Sequence, residues 1–256
     1  MIRLDKYAAD CKVGTRSEIK QYVKKGRMKV NGNVVTDSAF KIDPSKDEVT
    51  FDGTVLQYER FRYYMLNKPA GCVSATKDNL SDTVIELLKG EDVSDLFPVG
   101  RLDKDTEGFL LITNDGQLAH SLLSPRKHVD KTYEAIVDKK LSDSELKMFE
   151  SGIDIGDEKP TLPATIRLLN EVSVCFDTGS SVHNNPDNVV NYKYEVIIHE
   201  GRFHQVKRMF EAFGGSVLYL KRTKMGELRL PDDLESGGYR RLTEEEIDML
   251  SDNLNR

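Results

Sequence analysis

Between Phe97 and Gly116 a polar, charged loop is held between two short apolar runs, and this arrangement constrains the chain more than any other feature. The run after it, Phe109 to Thr113, reads as a buried strand, and Asn114-Asp115-Gly116 supplies the turn that ends it. A loop anchored at both ends is stiff, which is how a fold fixes one reactive side chain in space. Asp103 is the candidate for that side chain. An Asp in a loop commonly closes an Asx-turn or caps a helix, so its position alone gives it no chemistry. Calcium is a second use for such a segment, because Asp103, Asp105, Glu107 and Gly108 copy the opening half of an EF-hand loop. That loop also needs a bidentate Glu at its twelfth position and a helix on either side. Here the twelfth position is Asn114 and the residues between read as strand, so calcium is rejected.

At 256 residues the chain can bury a substantial core, as one large domain or two. It has no apolar run of about 18 residues, and Met1-Ile2-Arg3-Leu4-Asp5-Lys6 lacks the apolar core of a leader. Cys11, Cys72 and Cys175 form neither a disulfide framework nor a metal cluster, and the five histidines lack ligand spacing. The expectation is a cytoplasmic protein with no metal, no cofactor and no membrane partner. A formal net charge of −6 would oppose a nucleic-acid partner only if charge were spread evenly. It is not: residues 1–60 carry 12 Lys+Arg against 9 Asp+Glu, a balance of +3, which leaves −9 on the rest. Between Gly14 and Val30, Arg16, Lys20, Lys24, Lys25, Arg27 and Lys29 face only Glu18.

Leu4, Tyr7, Ala8 and Cys11 recur at helical spacing, which predicts a short opening helix. Thr15-Arg16-Ser17-Glu18 is a capping-box pattern that starts a second helix, with Ile19, Tyr22 and Val23 as its apolar face and Gly26 placed to end it. Arg16, Lys20, Lys24 and Arg27 step by four, four and three, which aligns four cations in one exposed stripe. Met28 to Val35 reads as a hairpin around Asn31-Gly32, with Lys29 beside the stripe. Val49-Thr50-Phe51 and Val55-Leu56 complete this module around Asp52-Gly53, and the domain boundary falls near Tyr58-Glu59-Arg60.

A second domain opens with a strand at Arg62 to Leu66 and a turn at Asn67-Lys68-Pro69-Ala70-Gly71, to which no chemistry is assigned. Helices are expected at Thr83 to Leu88, Gln117 to Leu123, Leu141 to Glu150, Val206 to Phe213 and Thr243 to Leu250. Strands are expected at Lys131 to Val137, in short pieces up to Leu169, at Val172-Ser173-Val174, at Tyr192 to Ile198 and at Val217 to Lys221. Residues 177–191 read as a mobile loop of polar turn formers. Arg126, Lys127 and Lys131 make a second basic cluster, and Arg101 stands two residues before Asp103.

Gly100-Arg101-Leu102-Asp103, then Asp105-Thr106-Glu107-Gly108, an apolar strand, Thr113-Asn114-Asp115-Gly116 and Ser124-Pro125-Arg126 resemble the signature of the pseudouridine synthases that modify ribosomal RNA. The first 50 or so residues, helix, basic helix and Lys-Val-Asn-Gly hairpin, resemble the alpha-L RNA-binding motif, which is shared with a ribosomal protein of the small subunit. The resemblance implies an α+β chain: a small RNA-binding domain at 1–58, then a mixed, largely antiparallel-sheet catalytic domain at 61–250. It implies that Asp103 is the catalytic residue, that Tyr133 of the Lys-x-Tyr pattern is a functional aromatic, and that Lys207, with Arg208 its confusable neighbour, pairs with Asp103. It implies RNA contact through Arg16, Lys20, Lys24, Arg27, Lys29, Arg101 and Arg126. Gly201-Arg202-Phe203-His204-Gln205-Val206-Lys207-Arg208 is most similar to the branch acting on one site in 16S ribosomal RNA. A sister branch acting on 23S RNA and a non-catalytic RNA-binding factor are the alternatives, and a monomer is expected.

Overall fold

The computed structural model describes residues 1–176, 182–184 and 190–252. The chain divides into two compact units, Met1–Phe61 and Arg62–Arg256.

The first unit runs β1 (Ile2–Arg3), α1 (Leu4–Asp10), α2 (Arg16–Lys24), β2 (Met28–Val30), β3 (Asn33–Val34), β4 (Lys41–Ile42), β5 (Val49–Phe51) and β6 (Thr54–Val55). The capping box forms as its spacing predicts. Thr15 Oγ1 accepts from the Glu18 backbone N–H, and the Glu18 carboxylate accepts from Thr15 N–H at 2.8 Å. Asn31 and Gly32 both take positive φ, the geometry of a two-residue turn whose twist matches the strands it joins. Leu4 and Tyr7 from α1, Ile19 and Val23 from α2, and Met28, Val30 and Val49 from the sheet β3-β2-β5-β6 share one core.

Arg16, Lys20, Lys24 and Lys29 are exposed, but Arg27 does not extend the row. The helix has already ended at Lys24, and Gly26, at a φ of 71°, turns the chain away. The Arg27 guanidinium donates from Nε to Asp52 at 2.9 Å and lies 4.6 Å from the ring centres of Tyr22 and Phe51.

The second unit contains β7 (Tyr63–Lys68), β8 (Phe97–Pro98), β9 (Glu107–Thr113), α3 (Gly116–Leu123), β10 (Lys131–Val137), α4 (Asp143–Phe149), β11 (Thr165–Val172), β12 (Val174–Phe176), β13 (Val182–Asn184), β14 (Asn191–Ile198), α5 (Gln205–Glu211), β15 (Val217–Met225), β16 (Leu228–Arg229), β17 (Tyr239–Arg241) and α6 (Glu244–Asp252). Among the described residues the main sheet runs β11-β14-β10-β15-β9-β7-β17, with β16 on β15 and β8 on β9. Every pairing in it is antiparallel except the short parallel contact of β15 with β9. Both faces are covered near that seam. Tyr64, Leu66, Leu110 and Ile112 point into one core while Met65, Phe109 and Leu111 point into the other. This is why Phe109 to Ile112 is apolar without alternation: a strand buried on both faces has no solvent side.

Three expectations change. Thr83 to Leu88 forms turns, not a helix. Thr83 bridges Val73 in a parallel β-contact, which holds the start of the segment extended, and Val84, Ile85 and Leu88 reach the core from the turns that follow. In place of short pieces ending at Leu169 there is one eight-residue strand, β11, which starts at Thr165 and runs through Leu169 to Val172, while Val174 begins the next strand. Lastly, β13 lies inside the stretch read as a mobile loop and pairs with β12; residues 177–181 and 185–189 lie outside the described residues. Among the described residues no helix is long and apolar enough to cross a membrane.

Candidate active site

The seam between β9 and β15 places the site. Glu107 and Gly108 pair there with Lys221 and Arg222. A Cβ on Gly108, whose φ is +99°, would fall within overlap of the Arg222 carbonyl oxygen and 2.8 Å from Lys221 Cγ. Only glycine permits that approach, so Gly108 in this motif serves strand packing and not a cation turn.

The loop leading into β9 is pinned on alternate residues. Leu102 donates its N–H to Ser74 Oγ at 3.0 Å, and its carbonyl accepts from the same hydroxyl at 2.9 Å. The fully buried Lys68 ammonium donates to the carbonyls of Pro69, Lys104 and Thr106 at 3.0, 3.2 and 2.9 Å. The Lys104 carbonyl also accepts from Gly71 N–H at 2.8 Å. Burial pushes the Lys68 pKa down, and neighbouring Cys72, Asp105, Glu107 and Asp103 oppose that. The Asn-Lys-Pro-x-Gly segment, which carried no assignment in the sequence, is thus the clamp that holds residues 102, 104 and 106 while Asp103 is left to face outward.

The opposite wall is the turn before α5. Arg202 donates its N–H to Gln205 Oε1 at 2.9 Å, Gln205 donates to Glu200 at 3.0 Å, and the Arg202 guanidinium binds Glu200 and the carbonyls of Lys159 and Pro160. This network holds His204 at a φ of 49°, a conformation uncommon outside glycine. His204 Nε2 thereby reaches 3.6 Å from Asp103 Oδ1, and Lys207 Nζ, from the first turn of α5, 3.5 Å from Asp103 Oδ2. Lys207 binds Asp105 more closely, at 2.6 and 2.8 Å. Partial burial pushes the Asp105 pKa up, but the hydrogen bond and charge of Lys207 outweigh it and hold the carboxyl below its usual range. Arg208 turns elsewhere, to Asp157 and the carbonyls of Ile155 and Phe203.

Asp103, Arg101, Tyr133 and His204 line two cavities in common, one of about 60 Å³ and one of about 520 Å³. The larger falls in the range that holds nucleotide-sized ligands. Tyr133, on β10 opposite Arg222, is 7% exposed. Phe203 is 72% exposed at the rim, its ring stacked on His204 with centres 3.8 Å apart. So the structure brings Asp103, Tyr133, Arg101 and, behind the carboxylates, Lys207 together. Arg16, Lys20, Lys24, Arg27 and Lys29 lie in the other unit. The Arg126 side chain lies outside the described residues. Sequence reasoning missed Lys68, Ser74, His204 and Arg222. Lys131, read as part of a surface cluster, is buried.

A sheet with one parallel seam, a clamped loop presenting a carboxylate, and a cation and an aromatic ring from distant segments make a site for chemistry at a single carboxylate beside a cavity. The sequence pattern of the RNA pseudouridylate synthases matches residues 62–212, and that of the S4 domain matches residues 2–49. The chain belongs to the RNA pseudouridylate synthase family and is an RNA pseudouridine synthase with an N-terminal S4 domain. It is 43% identical to an uncharacterised RNA pseudouridine synthase, YtzG, of Bacillus subtilis, over 98% of this chain and 99% of that one. It is 38% identical to ribosomal small subunit pseudouridine synthase A of Escherichia coli, over 96% and 98%. A crystal structure of a pseudouridylate synthase superposes with a TM-score of 0.64 at 34% identity, covering 98% of this chain and all of that one.

Proposed function

We propose that this enzyme converts one uridine of small-subunit ribosomal RNA, of the uridine-516 type in 16S RNA, into pseudouridine. The observation that carries the reading is the Asp103 carboxylate held between His204 and Lys207 on the wall of a cavity shared with Tyr133. The small-subunit assignment is supported by the relatives of that name, which align over nearly their whole length. Residues 1–58 supply affinity through the phosphate-facing cations Arg16, Lys20, Lys24 and Lys29, with Arg27 adding only the edge left open by Asp52, and residues 61–250 carry the reaction. The enzyme acts as a monomer in the cytoplasm.

The reaction breaks the bond between uracil N1 and ribose C1′, turns the base, and joins C1′ to carbon-5, whose proton leaves to solvent while the freed N1 takes one up. Nothing is oxidised or reduced. A stacked uridine cannot reach Asp103, so the nucleotide is flipped into the cavity, and Arg101, at its mouth, holds the opened strand. Attack at the sugar and addition to the base both need a carboxylate oxygen with a fixed direction, and the Lys207 ammonium 3.5 Å away supports that direction. The Tyr133 ring stacks on the extruded base and its hydroxyl serves proton transfer.

Tritium release from carbon-5-labelled uridine in 16S transcripts tests the reading. Wild type should release one equivalent per RNA and Asp103→Asn none. Equal release from both removes Asp103 from its role. No release by wild type from 16S RNA, with release from 23S RNA, moves the target to the sister branch, and none from either favours a non-catalytic factor.

A further inference from the structure

Besides Asp103, the larger cavity is lined by Lys131 and Arg222, diagonal neighbours on β10 and β15. Lys131 and Tyr133 alternate onto one face of β10, and Arg222 is the β15 partner of Tyr133. Lys131 is 6% exposed and Arg222 2% exposed. Each makes one hydrogen bond to backbone: Lys131 Nζ to the Val129 carbonyl at 2.9 Å, and Arg222 Nε to the Phe109 carbonyl at 2.8 Å. Arg222 Nη2 is buried with no partner. Among the described residues no carboxylate pairs with either cation. The acids that act on Lys131 are committed elsewhere, Asp130 to His199 and Glu200 to Arg202. Two buried cations without an anion are costly, and an orphaned guanidinium N–H more so. Both lie on a cavity that opens to Asp103, so the anion that relieves them comes with the ligand.

We propose that Lys131 and Arg222 form a buried subsite for one backbone phosphate of the RNA, adjacent to the nucleotide presented to Asp103. It rests on the reading of that cleft as the RNA site and adds to it the element that sets register. A phosphate gripped by a guanidinium fork and an ammonium fixes the distance from backbone to carboxylate before any base is read. The subsite differs in kind from the cations of residues 1–58, which are exposed and grip many phosphates loosely.

The test uses full-length protein and a 16S RNA fragment, with dissociation constants measured across a KCl series for wild type, Lys131→Met and Arg222→Gln. Each variant is first shown to melt cooperatively. The salt slope should fall by about one phosphate equivalent in either variant. A synthetic RNA carrying one neutral methylphosphonate beside the target uridine should bind wild type about 10-fold more weakly, at one linkage only, and the variants almost unchanged. Arg222→Lys should recover part of the difference. Folded variants that keep the wild-type slope and the methylphosphonate penalty overturn the subsite. So does a loss of turnover at unchanged slope, which would assign the two cations to the base. Failure of wild type itself to bind the fragment strikes at the functional reading, and the subsite goes with it.

Discussion

Replacing Lys131 by Met should make the protein more stable at neutral pH, and the gain should shrink as pH rises. Burial, and then the charge of Arg222, push the Lys131 ammonium from 10.5 to about 8. At about 1.4 kcal/mol per tenfold change in proton affinity, that drop corresponds to a folding cost of about 3 kcal/mol. The cost is present in full below pH 8, where the folded protein must carry the charge. It is relieved between about pH 8 and 10.5, where the unfolded chain binds the proton and the folded chain does not. Methionine fills a similar volume without charge but abandons the bond to the Val129 carbonyl, a loss of about 1 kcal/mol. The net gain at pH 7 is therefore about 2 kcal/mol, worth roughly 4–8 °C in melting temperature for a unit of this size. Urea titrations of wild type and variant, paired at pH 7, 8.5 and 10, measure it, and the pairing cancels groups that titrate alike in both. A variant less stable than wild type at pH 7, or a gain that does not change with pH, refutes the account of Lys131 as an unrelieved cation.

Gly108→Ala should cost about 3 kcal/mol or more and remove activity with it, because the methyl group meets the Arg222 backbone where β9 and β15 join; a melting temperature within 2 °C of wild type would contradict this. Lys207→Met should lower kcat about 100-fold with RNA affinity nearly unchanged, and Lys207→Arg should restore part of it, since the cation keeps Asp105 ionised and sits 3.5 Å from the Asp103 carboxylate it orients. Unaltered single-turnover rates would remove that role.

The elements written in local pattern were legible. The capping box at Thr15 and Glu18, the Asn31-Gly32 turn, the apolar run at Phe109 and the helical spacing of Val206, Met209 and Phe210 each arise from contacts within a few residues. Thr83 to Leu88 was misleading for the opposite reason: its apolar spacing fits a helix, but the non-local bridge of Thr83 to Val73 holds the start of the segment extended, and turns follow. Arg27 fitted the basic stripe by count, yet Gly26 and Asp52 withdrew it.

Sequence alone determined that a carboxylate would be presented by a stiff loop and that the cationic charge would gather in the first 30 residues, because both are properties of short segments. Only the tertiary structure decided which distant groups surround that carboxylate. Lys207 lies 104 positions from Asp103; the resemblance of its motif named it as the partner, but only the fold sets it 3.5 Å from Asp103 and closer still to Asp105. The clamp by Lys68 and the anion-seeking pair of Lys131 and Arg222 exist only because the sheet brings separate strands to one seam and removes water from them. A lysine in a sequence has no environment, and its chemistry is set when the fold gives it one.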